Sequence, residues 1–307
     1  MKPSRFWTLG VSVALPLLGA ACGDSSRVTP RDATPISATA TFVRVNGVAL
    51  QYLDWGGSGT GLVFIPGLGD SPHAFADIAP AFRDRFRVIA YARRGQGRSE
   101  RKGPYDHATL VEDLRQLLDS LGIIRVVLVG WSLGESEITE FAALHPERVA
   151  ALVCLECYEP SLAAVKAFTS SPVSEEATAR DLASAAGFRA WWKRVYAPNT
   201  PYSAAMEAAI ADLVIENPDG SVSLVTDDAI ATALREGGAY GPRYAGLSVP
   251  MLAIWGRWYR GGLLPSTEPD SLQRLVDQYL QTFVHPWQED ANREVSGRRA
   301  RGARGDT

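Results

Sequence analysis

Residues 126–137 read VVLVGWSLGESE, and this stretch decides how the rest of the chain is read. Val126 to Val129 form a short apolar, β-branched run that ends at Gly130, the pattern of a buried strand. Beyond Ser132 the period changes. Ile138, Phe141, Ala142 and the Leu144-His145-Pro146 ending suit a helix that stops before the proline. Gly130-Trp131-Ser132-Leu133-Gly134 therefore sits on a corner between strand and helix. A G-x-S-x-G corner has a mechanical meaning: the turn is so tight that small residues flank the serine, and strain in its backbone lifts Oγ above the sheet edge. The helix that starts at Leu133 aims unpaired N–H groups and a partial positive charge at any oxyanion formed there. The bland reading of the same residues is an ordinary turn that contains a serine.

Composition sets the outer bounds. The chain has 307 residues, 46% hydrophobic and 21% charged, enough for one large core or two modest ones. A net charge of -3 and the absence of a basic stripe interleaved with aromatics argue against nucleic-acid binding. The first 26 residues place Lys2 and Arg5 ahead of an apolar run from Phe6 to Leu18 and small residues up to Cys22. That layout is expected of a secretory signal and is short for a membrane span. Leu18-Gly19-Ala20-Ala21-Cys22 also resembles a bacterial lipobox, with the leucine one place further from the cysteine than usual. It implies an exported protein of the bacterial cell envelope, held to the membrane by a lipid on Cys22. A simple signal peptide or an uncleaved anchor are the alternatives. Cys154 falls within an apolar strand and is read as core, while Cys157 is left open.

The pattern outward from the corner gives an α/β chain. "ATFVRVNGVALQYLDWGG" alternates on both sides of Asn46-Gly47, a hairpin signal. "GLVFIPG" and "FRVIAYA" read as short buried strands, with a helix predicted between them from Ser71 to Phe82. His107 to Leu121 carries leucines at helical spacing behind Asp106 as N-cap. "RVAALVCLE" supplies another strand. This order predicts a mostly parallel sheet flanked by helices. From residue 159 to 247 the alternation gives way to helical segments, read as an inserted cap, and "VPMLAIWG" resumes the sheet. The division expected is a signal peptide and lipobox over 1–22, a tether over 23–38, a core over 39–158 and 248–290, the cap over 159–247 and a disordered arginine-rich tail over 291–307. Trp191, Trp192 and Tyr196 in the cap suit either packing or an apolar acyl pocket.

Three motifs together carry a family resemblance. "FIPGLGDS" stands after the third strand, with Pro66 in place of a usual histidine. "RRGQGRS" matches an R-G-x-G-x-S turn after the fourth strand, with Ala92 where many members have aspartate. "GWSLG" is the nucleophile corner. With these, residues 40 to 260 resemble the α/β-hydrolase superfamily, most closely its capped bacterial serine-hydrolase branch of esterases and lactonases. The resemblance implies a serine hydrolase that takes a small-molecule acyl substrate and needs no cofactor or metal. An acyl-transfer serine requires two converging donors, for which the N–H groups of Leu133 and Leu68 are the candidates. The family's usual acid position after the seventh strand is empty, since no Asp or Glu occurs between Gly256 and Thr267. Some branches place the acid at the end of the sixth strand, where this chain has Glu156, with Glu159 as runner-up. Glu135, in the first turn after Ser132, is expected to point away.

Of four histidines, His73 follows the oxyanion loop, His107 begins a helix and His145 ends one, which leaves His285 as the base. It stands after Thr282-Phe283-Val284, the one β-prone piece near the end, in the chain order Ser, acid, His that the family implies. The alternative is that Leu272 to Phe283 stays helical until Pro286 and the last strand is missing. In that case the chain is a catalytically impaired or truncated hydrolase-fold binding protein.

Overall fold

The computed structural model describes residues 38–156, 176–234, 236, 244, 246–254 and 269–285. Cys22, Cys157 and Glu159 lie outside the described residues, as do the signal segment, the tether and the tail. Among the described residues no helix is long and apolar enough to cross a membrane.

The chain opens with β1 (Ala40–Val45) and β2 (Val48–Gly56), an antiparallel pair. Asn46 and Gly47 both take positive φ, 45° and 77°, as a two-residue hairpin turn of this hand requires. β3 (Gly61–Ile65) and β4 (Arg87–Tyr91) follow. The helix expected from Ser71 to Phe82 is instead two short 3₁₀ turns, Pro72–Phe75 and Ala79–Phe82. Pro80 explains the break: it has no N–H and disfavours the α conformation at Ala79, so a helix begun at Pro72 cannot run through it.

α1 (His107–Ser120) begins where Asp106 accepts the Thr109 N–H at 2.9 Å. It buries Leu110, Leu114, Leu117 and Leu118. β5 (Val126–Trp131), α2 (Leu133–Leu144) and β6 (Val149–Leu155) come next. Between β6 and the next strand of the main sheet lie α3 (Ala185–Tyr196), α4 (Ala204–Ala211), β7 (Val214–Glu216), β8 (Val222–Leu224) and α5 (Asp228–Leu234). The β7–β8 hairpin corrects the reading of this stretch as helical throughout. Val214 and Ile215 are β-branched, and Pro218-Asp219-Gly220 supplies a turn with Gly220 at φ 84°. β9 (Met251–Ile254) and α6 (Asp270–Tyr279) complete the described elements.

The main sheet has strand order β1-β2-β4-β3-β5-β6-β9. β1, β2 and β4 pair antiparallel, and every other neighbour pairs parallel. Parallel strands need cover on both faces, so β3 is buried at all five residues. One face packs Val63, Ile65 and Leu128 against Leu114, Leu118, Ile138 and Phe141. The other packs Phe64 and Trp131 against Phe75 and Ala79. Cys154 lies in the first of these layers, fully buried. The cap elements hold a separate cluster of Phe188, Trp191, Trp192, Ile210, Leu213, Val214 and Val222. Past α6 the backbone continues through Leu280–Val284 as a π turn, and His285 is helical at φ -63° and ψ -43°. Thr282 to Val284 therefore do not form a strand.

Candidate active site

Ser132 stands at φ 51° and ψ -118°, immediately ahead of α2. A non-glycine residue in that region stores about 1–3 kcal/mol of strain, so the surroundings must impose it. They do so by contact. A Cβ at Gly130 would meet the Gly134 carbonyl at 2.6 Å, and one at Gly134 would meet the Ile65 carbonyl oxygen at 2.5 Å. Only glycines allow β5, β3 and α2 to approach this closely. The Ser132 N–H donates to Leu155 O on β6 at 3.1 Å, and its carbonyl accepts the Glu135 N–H at 2.9 Å. The corner is thus tied to the neighbouring strand and to its own helix, and Leu133 N–H is the first donor of that helix.

Glu156 follows β6 as Ser132 follows β5. Trp131 and Leu155 are paired in register across these two strands, so the residues after them stand side by side. Glu156 also takes a left-handed backbone, φ 49°, and its N–H donates to Ile254 O at 2.9 Å. Among the described residues, three non-glycines have positive φ. Asn46 makes the hairpin turn, and the other two are Ser132 and Glu156. Backbone strain of this kind gathers at working sites.

The loop after β3 reaches the same place. A Cβ at Gly67 would lie 3.5 Å from the Ser132 Cβ, and Gly67 O closes a turn by accepting the Asp70 N–H at 3.4 Å. Beneath the loop lies the buried side chain of Arg93. Its Nε donates to Glu137 Oε2 at 2.5 Å, while Nη1 donates to Pro66 O at 2.7 Å, Gly67 O at 3.4 Å and Gln96 Oε1 at 3.2 Å. Glu137 also accepts the hydroxyl of Tyr91. Burial pushes the Tyr91 phenol well above its usual range, and the Glu137 carboxylate pushes it further. Arg94, the arginine of the R-G-x-G-x-S motif, serves the scaffold. Its Nε and Nη2 bind Asp113 at 2.6 Å each.

The four histidines sit in different settings. His107 Nε2 lies 3.0 Å from Ser136 O, and His145 rests on the Phe141 ring. His73 Nδ1 lies 2.9 Å from Asp212 Oδ2, at the end of α4 in the cap. Asp212 also accepts from Gln51 Nε2 at 2.8 Å, Ser71 Oγ at 3.1 Å and Arg98 Nε at 2.9 Å. Burial alone would raise the Asp212 carboxyl, but the bonds from His73, Gln51 and Arg98 outweigh it and hold it below its usual value. His285 is placed at the end of the turn after α6. Glu135, expected to point away from the oxyanion, faces the protein interior. It is fully buried and accepts the hydroxyl of Tyr244.

The seat of the cap involves both proposed donor residues. Leu68 and Leu133 pack with Leu110, Tyr105, Ile230 and Leu234, the last two from α5. Trp191 and Trp192 are buried within the cap's own cluster. Arg93, Glu137, Asp212 and Tyr244 escape a reading of the sequence alone. The one signal for the first pair is Arg93 directly after an apolar strand, matched by Glu137 on a helix whose other residues here are mostly buried.

The sequence model for the alpha/beta hydrolase fold matches residues 61–257. Over 113 residues the chain is 32% identical to a putative carbamate hydrolase RutD of Caulobacter segnis, a stretch that covers 36% of this chain and 42% of that protein. Over 105 residues it is 38% identical to a putative non-heme haloperoxidase of Mycobacterium phage D29, covering 33% and 37% of the two chains. The matched stretch thus spans less than half the length of either relative. The fold is similar to that of an E-2-(acetamidomethylene)succinate hydrolase, with a TM-score of 0.60, 19% identity and coverage of 85% of this chain and 100% of the other. It is also similar to the thioesterase domain of the curacin biosynthetic pathway, with a TM-score of 0.57, 18% identity and coverage of 80% and 90%.

Proposed function

The chain belongs to the alpha/beta hydrolase family, and on that premise we propose that it cleaves a small ester, lactone or related acyl substrate through a covalent intermediate on Ser132. The observation that carries this reading is the pair of left-handed residues, Ser132 and Glu156, side by side at the ends of β5 and β6. A strained serine at the head of a helix suits attack, and an acidic residue on the neighbouring strand end suits the part of a carboxylate that orients an imidazole, which supports the reading. The Caulobacter segnis relative is named for a carbamate, which likewise offers a carbonyl carbon.

In this mechanism Ser132 Oγ bonds to the substrate's carbonyl carbon while its proton passes to an imidazole. The amides of Leu68 and Leu133 hold the resulting oxyanion. Collapse of the tetrahedral species breaks the bond to the leaving oxygen, which takes the proton from the imidazole. Water then attacks the acyl group by the same steps in reverse order and frees Ser132. His285 supplies the imidazole by chain order, with Glu156 behind it. A second reading rests on the 2.9 Å contact between His73 Nδ1 and Asp212, an imidazole already oriented by a carboxylate.

A fluorophosphonate probe and p-nitrophenyl acetate test both. Stoichiometric labelling that disappears in Ser132→Ala is the expected result. His285→Ala is expected to lower kcat by about 10³-fold or more with the fold intact. Loss of activity in His73→Ala with an unchanged His285→Ala would transfer the base to the His73–Asp212 pair. A folded parent that does not label would overturn the hydrolase reading in favour of a hydrolase-fold binding protein.

A further inference from the structure

We propose that Arg93, held from behind by Glu137, is the positioning residue that aims the Leu68 amide at the oxyanion. The proposal rests on Ser132 being the nucleophile.

The geometry begins with Pro66. It has no N–H, so it contributes no backbone donor that could anchor the loop as it leaves β3. The anchor comes through the carbonyls. Arg93 Nη1 donates to Pro66 O at 2.7 Å and to Gly67 O at 3.4 Å from beneath the loop. In a trans peptide the carbonyl of one residue and the N–H of the next point in opposite directions. Drawing the Gly67 carbonyl down onto the guanidinium therefore turns the Leu68 N–H to the opposite side of the loop. A Cβ at Gly67 would lie 3.5 Å from the Ser132 Cβ, so the loop passes beside the nucleophile.

The guanidinium needs its own fixed support, and Glu137 provides it. Glu137 lies five residues beyond Ser132 on α2, so the bond from Arg93 Nε fixes the loop against the helix that carries the nucleophile. Both side chains are almost fully buried, 1% and 2% exposed. Arg93 Nη2 would lie 3.2 Å from a Cβ at Gly134, so the same group also fills the space under the corner. A planar fork with separate donors can bind a carboxylate at one edge and carbonyls at another, whereas an ammonium on a flexible stem cannot hold both in one geometry. Because Glu137 balances the charge, the pair brings direction to the site and no net charge.

A purely structural role would show in stability alone, so the test separates aim from fold. The triple variant Tyr91→Phe/Arg93→Met/Glu137→Leu replaces the phenol and the ion pair with apolar side chains of similar size, an exchange that buried ion pairs often tolerate. Arg93→Lys keeps a cation beside Glu137 but loses the fork. For each, fluorophosphonate labelling of Ser132 is timed and kcat and KM for p-nitrophenyl acetate are measured, beside urea unfolding. A lost oxyanion donor slows an acyl transfer by about 10²–10³-fold, so a mis-aimed one is expected to lower kcat and the labelling rate by on the order of 10²-fold. KM is expected to stay within about twofold, since the amide acts mainly on the transition state. A folded triple variant that labels at the parent's rate would overturn the proposal. If the triple variant does not fold, Arg93→Lys labelling at the parent's rate does the same. Should the folded parent fail to label, the hydrolase reading falls and this proposal with it, a result distinct from a parent and variant that label equally.

Discussion

Asp212→Asn is a change of one charge at the point where four donors meet. Gln51, Ser71, His73 and Arg98 all bond to its two oxygens, and the group that carries them comes from the cap while every donor comes from the core. Truncating one partner of a buried ion pair costs about 3–5 kcal/mol when the other is left dry. Here the Arg98 side chain is 44% exposed and stays hydrated, so the upper part of that range does not apply. The asparagine amide, however, must turn its NH₂ toward at least one of the existing donors. Together these give an expected loss of about 2–3 kcal/mol near pH 7.

The pH dependence fixes the cause. Asp212 is held below its usual value in the folded chain, so its contribution is present above the unfolded value and lost as pH falls through the folded one. Urea unfolding of parent and variant at pH 7, 5 and 3, followed by tryptophan fluorescence, is expected to show a gap that persists from pH 7 to 5. It narrows once pH drops below about 4, where the unfolded chain's Asp212 begins to take up its proton while the folded one still resists. A gap of the same size at pH 7 and pH 3 would refute the argument, as would no gap at pH 7.

Gly134→Ala places a methyl 2.5 Å from the Ile65 carbonyl oxygen, an unyielding backbone atom. It is expected to cost about 1–3 kcal/mol in urea unfolding and to slow Ser132 labelling, and a variant that matches the parent in both would show that the corner has room to spare. Trp192→Ala empties a position in the cap's own cluster, 5% exposed, and is expected to cost about 3–5 kcal/mol without altering preference for acyl chain length. An altered preference at unchanged stability would place Trp192 in a substrate pocket instead.

What could be read from the sequence was local. Asn46-Gly47 marked its hairpin because the turn needs positive φ at both residues, and Asp106 marked the start of α1 because its side chain caps within three residues. Ser132 was legible because the glycines that permit its strain lie two residues to either side. The features that escaped depend on distant partners. Asp212 is separated from Gln51 by 161 residues and from Ser71 by 141, and nothing beside it in the chain distinguishes it from a surface aspartate. The partner of Glu135 is likewise remote, since Tyr244 bonds it from 109 residues away. The turns after β3 differ from the helix expected because the apolar residues suit one while Pro80 forbids its continuation. Glu156 was singled out by position, but its left-handed backbone has no glycine or asparagine to announce it.

In the proposed reaction, the packing of Leu68 and Leu133 against α5 would set the local polarity. Their amides are the proposed donors, and their side chains form a floor against which Ile230 and Leu234 of α5 rest. Two unit charges about 4 Å apart attract by about 1 kcal/mol in bulk water and by about 4 kcal/mol at an effective dielectric of 20. The donors carry only partial charges, but the same scaling governs them. Lifting α5 would admit water to this floor and weaken the hold on a developing charge even if no bond length around Ser132 changed. Cap closure would then act as a dielectric switch, and the rate would follow the wetness of two leucines.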